Sequence, residues 1–159
     1  MLKSIKESGD YLGQISNNIS EKVGILEQEI ERGNLPKTPD GKIRIVELGT
    51  GGGESLRRIK GKAKFDNNID IIALDIMPSL VSSLKNEIGT EAVAADAGEL
   101  PFYDNSISAI NASAILHEIS SYGTGLNEVG NIERNKIYGT AAVTKALAEF
   151  NRVLTPEGI

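Results

Sequence analysis

The order of apolar runs in this chain of 159 residues predicts an α/β fold, a parallel sheet with helices on both faces. Three observations predict it. Ile43–Leu48 and Ile69–Leu74 are short apolar runs rich in β-branched residues, as strands covered on both faces require. Each run is followed by a stretch of helical period: Glu54–Lys62, and a segment opened by Pro78 in which Leu80, Val81, Leu84 and Ile88 share one face. The alternation then continues into a short third strand, Glu91–Ala95, and a fourth, Ile107–Ala112.

The first segment, residues 1–34, is helical by spacing. Leu2, Ile5, Leu12, Ile15, Ile19, Val23, Leu26 and Ile30 recur mostly every three or four positions, and Gly9 and Gly13 leave room for two helices. Gly33-Asn34 is a C-terminal stop, reinforced by Pro36. This apolar stripe reads first as packing on the domain; a lid or a partner-binding helix are the sharper readings. Residues 35–42, with Pro36, Pro39 and Asp40-Gly41, form a linker, and residues 43–159 the main domain. Within it, Phe65-Asp66-Asn67-Asn68 is a polar loop and Ala97–Asn105 is rich in turns. Ser120–Gly139, polar and carrying four glycines, reads as an inserted loop or lid. Thr140–Leu154 is a helix with Val143, Leu147, Phe150 and Val153-Leu154 inward.

Composition narrows the function. The net charge is −5 with no basic stripe, which argues against a nucleic-acid footprint, and the absence of Trp argues against a base-stacking platform. With no cysteine there is no disulfide, no thiolate nucleophile and no thiolate-ligated metal, and no metal site is expected. No apolar run approaches the roughly 20 residues that span a bilayer, and the start lacks a signal-peptide core, so the expected location is cytoplasmic.

The stretch Arg44-Ile-Val-Glu47-Leu-Gly49-Thr50-Gly51-Gly52-Gly53-Glu54 organises the chain: a buried strand, a glycine turn and a helix whose first N–H groups face back toward a ligand. Asp75 and Asp96 stand at the ends of the next two strands, where parallel sheets bind ligands. Taken singly, each also suits a turn start or a helix cap. A dinucleotide site needs G-x-G-x-x-G, but Glu54 occupies the third glycine position and reads as a helix N-terminal acid. Glu47 repels phosphate and attracts an ammonium group. A ligand with an amino-acid end, a ribose and an adenine fits better, as S-adenosylmethionine does.

The chain resembles the class I S-adenosylmethionine-dependent methyltransferases, with a Rossmann-like sheet. The matching motifs are Glu47–Gly53, Asp75 within Ala73–Pro78, Asp96 within Ala95–Phe102, Leu116-His117-Glu118-Ile119, and Phe150–Gly158. The resemblance implies S-adenosyl-L-methionine as cofactor. Gly49, Thr50 and Gly51 would lie along its amino-acid portion, with Glu47 facing the ammonium or ordering the turn. Asp75 would take both ribose hydroxyls, Ile76 and Met77 would flank the adenine, and Asp96 with the Ala97 N–H would bind the adenine edge. Met77 could equally be plain packing. His117, the sole histidine, is the candidate general base; a capping or buried histidine beside the site is the bland alternative, and Glu118 and Tyr122 are weaker candidates for acceptor contacts.

The family's sheet has seven strands and four are visible here, so the chain is expected to be a fragment, with strands 5–7 missing and strand four exposed for self-association or for a C-terminal segment that completes the sheet. The expected activity is methyl transfer to a small-molecule acceptor, with nucleic acid and membrane disfavoured as partners. The alternative is a non-catalytic module, built on a partial methyltransferase fold, that binds S-adenosylmethionine or a partner.

Overall fold

The computed structural model describes residues 21–63, 68–113, 115–123 and 137–159. A helix over residues 21–32 (α1) precedes strand β1 (Ile43–Leu48) and helix α2 (Glu54–Ala63). Then follow β2 (Ile69–Asp75), α3 (Pro78–Ile88), β3 (Glu91–Ala94), β4 (Ala109–Asn111), α4 (Leu116–Tyr122) and α5 (Gly139–Val153). The four strands lie in the order β3-β2-β1-β4, every neighbouring pair parallel. The order reverses between β1 and β4, and a cavity is expected beyond the strand ends at that point.

Side-chain alternation divides the core into two layers. Ile43 and Ile45 of β1, with Ile71 and Ala73 of β2, face a cluster built from α1, α2 and α3. Val46 and Leu48, with Ile72 and Leu74, face the opposite cluster, closed by Ile119 of α4 and Phe150 and Val153 of α5. Both faces of the sheet are covered, as apolar residues on both side-chain phases of the strands require.

Of the N-terminal stripe, Val23 and Leu26 are buried and Ile30 is half-buried against the first cluster, while Leu2, Ile5, Leu12, Ile15 and Ile19 lie outside the described residues. Glu27 of α1 receives two hydrogen bonds from the Arg58 guanidinium of α2, which pins the helix to the domain. Residues 35–42 are more than a connection: Leu35 joins the core, and Thr38, Asp40 and Arg44 form a hydrogen-bonded group at the start of β1.

Three details depart from the sequence reading. The fourth strand shortens to three residues; at Ser108 the N–H donates to the Arg44 carbonyl at 2.8 Å, the hydroxyl accepts the Arg44 N–H at 3.0 Å, and the carbonyl turns to the Ile159 N–H instead. The segment predicted as a loop from Ser120 begins inside α4, and residues 124–136 lie outside the description, as does most of the polar loop before β2. On α5, Leu147 is 48% exposed while Ala142 and Ala146 are buried. Small side chains let this helix lie close to its neighbours, so the inward face runs through the alanines.

The last residues run beside β4. Ile107 forms a parallel bridge with Leu154, and Ile159 donates to the Ser108 carbonyl at 3.2 Å and accepts from the Ile110 N–H at 2.7 Å. That alternation is a parallel ladder at the open edge of β4.

Candidate cofactor and acceptor site

A cavity of about 560 Å³ opens at the C-terminal ends of β1, β2 and β3, within the roughly 300–1,000 Å³ typical of small-molecule sites. The glycine turn forms its floor. Gly49, Gly51 and Gly53 all have positive φ, at 68°, 50° and 80°. They serve different ends. A Cβ at Gly49 would meet Ile115 Cδ1 at 2.6 Å, and one at Gly53 would meet Leu84 Cδ2 and Ile88 Cδ1 at 2.7 and 2.8 Å. Gly49 therefore lets the start of α4 press on the turn, and Gly53 lets α3 do so. At Gly51 nothing lies within 4 Å of the Cβ position, and this residue lines the cavity. The close-packing role that a dinucleotide fingerprint gives its third glycine thus falls here to Gly53, one residue earlier. Glu54, which opens α2, turns its carboxylate back over Gly52 and is not among the cavity-lining residues.

Substituting Gly53 separates these roles. Gly53→Ala is expected to destabilise the chain by about 2–3 kcal/mol, from left-handed backbone strain plus displacement of Leu84 and Ile88. Gly61→Ala, in a helix with open space around it, is expected to stabilise it by up to about 1 kcal/mol. Denaturant midpoints of the two variants check this; equal shifts would refute the packing role.

The other walls come from the strand ends. Asp75 closes β2, and its Oδ1 accepts the Met77 N–H at 3.0 Å, a turn that leads into Pro78 at the start of α3. Asp75, Ile76 and half-exposed Met77 all line the cavity. Asp96 is 6% exposed and accepts the Gly98 N–H at 2.6 Å; it and Ala97 also line the cavity. The loop after Asp96 is fixed from α5. Arg152 donates to the Leu100 and Phe102 carbonyls and to Asp104 and Glu149, and Glu149 accepts the Leu100 N–H. Sequence reasoning noted Arg152 only as part of a motif, because its loop partners Leu100, Phe102 and Asp104 lie about 50 residues away and no local spacing reveals them.

Glu47 and Thr50 are buried and do not reach the cavity wall. Glu47 follows the side-chain phase of Ile43 and Ile45, toward α1. Its carboxyl accepts the Asn111 amide at 2.6 Å, from the residue paired with it across β1 and β4. Burial pushes its pKa up to about 7, against opposing pulls from the Asn111 amide and the Lys22 ammonium. Asn111 in turn is tied through Ser113 to the Lys22 carbonyl of α1. Thr50 Oγ1 is buried with no hydrogen-bond partner among the described residues.

The remaining wall is α4. Ile115, Glu118, Ile119, Tyr122 and Gly123 line the cavity, whereas His117 is exposed and is not among the lining residues. The helical phase explains the split: one step from 117 to 118 turns the side chain by about 100°. Among the described residues no group of three or more His, Asp or Glu is placed to hold a metal ion, and no helix is long and apolar enough to cross a membrane.

These features fit S-adenosylmethionine. Gly51 leaves space where a side chain would stand, and two carboxylates flank an apolar wall in a cavity of suitable size. A model of the family described as a methyltransferase domain matches residues 46–159. No curated protein sequence matches the chain. Among solved structures, the chain is similar to the citrinin polyketide synthase CMeT domain, with 16% identity and a TM-score of 0.60, covering 88% of this chain and 32% of that one. It is also similar to the CurJ carbon methyltransferase, with 19% identity and a TM-score of 0.57, over 83% of this chain and 31% of that one. A Haloferax volcanii complex that includes the Trm112 methyltransferase activator matches with 18% identity and a TM-score of 0.53, over 99% of this chain and 59% of the other. At such identities the likeness shows the fold, and the chain spans about a third of the length of the first two structures and 59% of the third.

Proposed function

We propose, for a chain that belongs to the methyltransferase-domain family, that it transfers the methyl group of S-adenosylmethionine to a small-molecule acceptor. The observation that carries the reading is the convergence on one cavity of Gly51, Asp75 and Asp96, from three separate strand ends. Asp75 offers two acceptor oxygens to the ribose diol, and Asp96 with the Ala97 N–H faces the adenine edge. Ile76 and Met77 flank the base, and Gly49 and Gly51 bring the backbone beside the amino-acid portion. Glu47 orders the turn from beneath through Asn111.

When bound, the cofactor supplies a methyl group already activated by its positive sulfur, so the chain's task is to hold the acceptor in line and exclude water. Calorimetric titration with S-adenosylhomocysteine, NAD and NADP tests the reading. Saturable binding of the first alone supports it, and preferential binding of either dinucleotide overturns it.

On the acceptor side, position favours Glu118 and Tyr122 over His117. His117→Ala is expected to leave the methyl-transfer rate within about twofold of the parent, against the hundredfold or greater loss that removal of a general base brings. A loss of that larger size, with a changed pH profile, would restore His117 as the base.

A further inference from the structure

We propose that the α4 end of the cavity is a subsite for a small apolar acceptor that carries an amine, read by Glu118 and Tyr122; this rests on the cofactor assignment above.

The cavity has two halves. The strand ends provide one, and its polar groups, Asp75 and Asp96, are committed to the ribose and adenine in that assignment. The other half belongs to α4, whose position is set by Ile115 packed against Gly49. Its side chains with hydrogen-bonding capacity are Glu118 and Tyr122, four residues apart and so on one helix face. Around them Ile115, Ile119 and Leu48 make an apolar surface.

Charge then selects the occupant. The ionisable side chains lining the cavity are Asp75, Asp96, Glu118 and Tyr122; no Lys, Arg or His lines it among the described residues. A carboxylate or phosphate acceptor would meet carboxylates on both sides, with no cation among the described lining residues to hold it. The chain's net charge of −5 adds a field of the same sign. An ammonium group finds the opposite conditions: Glu118 Oε accepts its hydrogen bonds, the Tyr122 ring and hydroxyl flank it, and the isoleucines take the apolar body.

The test is a binding measurement on the full 159-residue chain saturated with S-adenosylhomocysteine. The probes are 2-phenylethylamine and phenylacetate, which share a ring and differ in charge. Saturation-transfer NMR is expected to show the amine bound at least about fivefold more tightly, as one partly exposed carboxylate can supply, with the preference shrinking at high salt. Glu118→Gln, at an exposed position that leaves the fold intact, is expected to erase the preference. Equal or tighter binding of phenylacetate, no binding of either probe, or an undiminished preference in E118Q would each overturn the proposal. Failure of S-adenosylhomocysteine itself to bind would overturn the cofactor assignment and this proposal with it, so the two failures are distinguishable.

Discussion

Asp75→Ala is expected to weaken S-adenosylhomocysteine binding by at least about a hundredfold while changing folding stability by only about 1 kcal/mol. The asymmetry follows from the geometry. Among the described residues the Asp75 carboxylate accepts one hydrogen bond, from the Met77 N–H, at an exposed turn where water can take its place, so it contributes only about 1 kcal/mol to stability. Toward a ribose, the same carboxylate offers two charge-assisted hydrogen bonds, each worth about 1.5–3 kcal/mol, and 1.4 kcal/mol is a factor of ten in affinity. Asp75→Asn keeps one acceptor oxygen and is expected to fall between. Calorimetry and denaturant unfolding on the same samples separate the two effects. Unchanged affinity in Asp75→Ala would remove the ribose role, and a collapse of stability would mean that the turn, not the ligand, explains the residue.

The second large effect is pH-dependent. Glu47 carries a pKa raised from 4.5 to about 7, so the folded chain binds its proton more tightly than the unfolded chain does. Stability from this group is therefore full below about pH 4.5 and is lost as the pH rises through about 7. Two to three pKa units correspond to on the order of 3 kcal/mol. Glu47→Gln, which keeps the shape but cannot ionise, is expected to be more stable than the parent at pH 8 by up to that amount, and to differ little from it at pH 4.5. Denaturant unfolding of both proteins across this range gives the difference directly. A difference that does not vary with pH would show that Glu47 does not titrate in the window.

The chain's fold was legible where local pattern and tertiary demand coincide. β1 and β2 are mainly apolar on both side-chain phases because helices cover both faces of the sheet, and a run such as Ile69–Leu74 can be read without knowing its partners. The glycine turn and the two acids were legible because φ > 0 and strand-end carboxylates are written in residue type. What was not legible depends on pairing. Asn111 lies in an apolar run with nothing local to mark it, and it acquires a purpose only once β4 is placed beside β1 and opposite Glu47. His117 stood out by its chemistry, yet the cavity is lined by Glu118 and Tyr122, and the segment Leu116-His117-Glu118-Ile119 was too short to fix the helical phase. Leu147 misled because large apolar residues define a face by periodicity, whereas α5 packs through alanines that carry little hydrophobic signal.

The Arg152–Glu149 clamp has a consequence for engineering. The loop that follows β3 carries Asp96 and Ala97 on the cavity wall, but its shape is held by two side chains on α5. The loop is thus not a portable cassette. Grafting residues 96–105 into another scaffold would move the groups on the cavity wall and leave their fasteners behind. The transferable module is discontinuous, a loop together with one turn of a distant helix, and a chimera that respects this would exchange both at once.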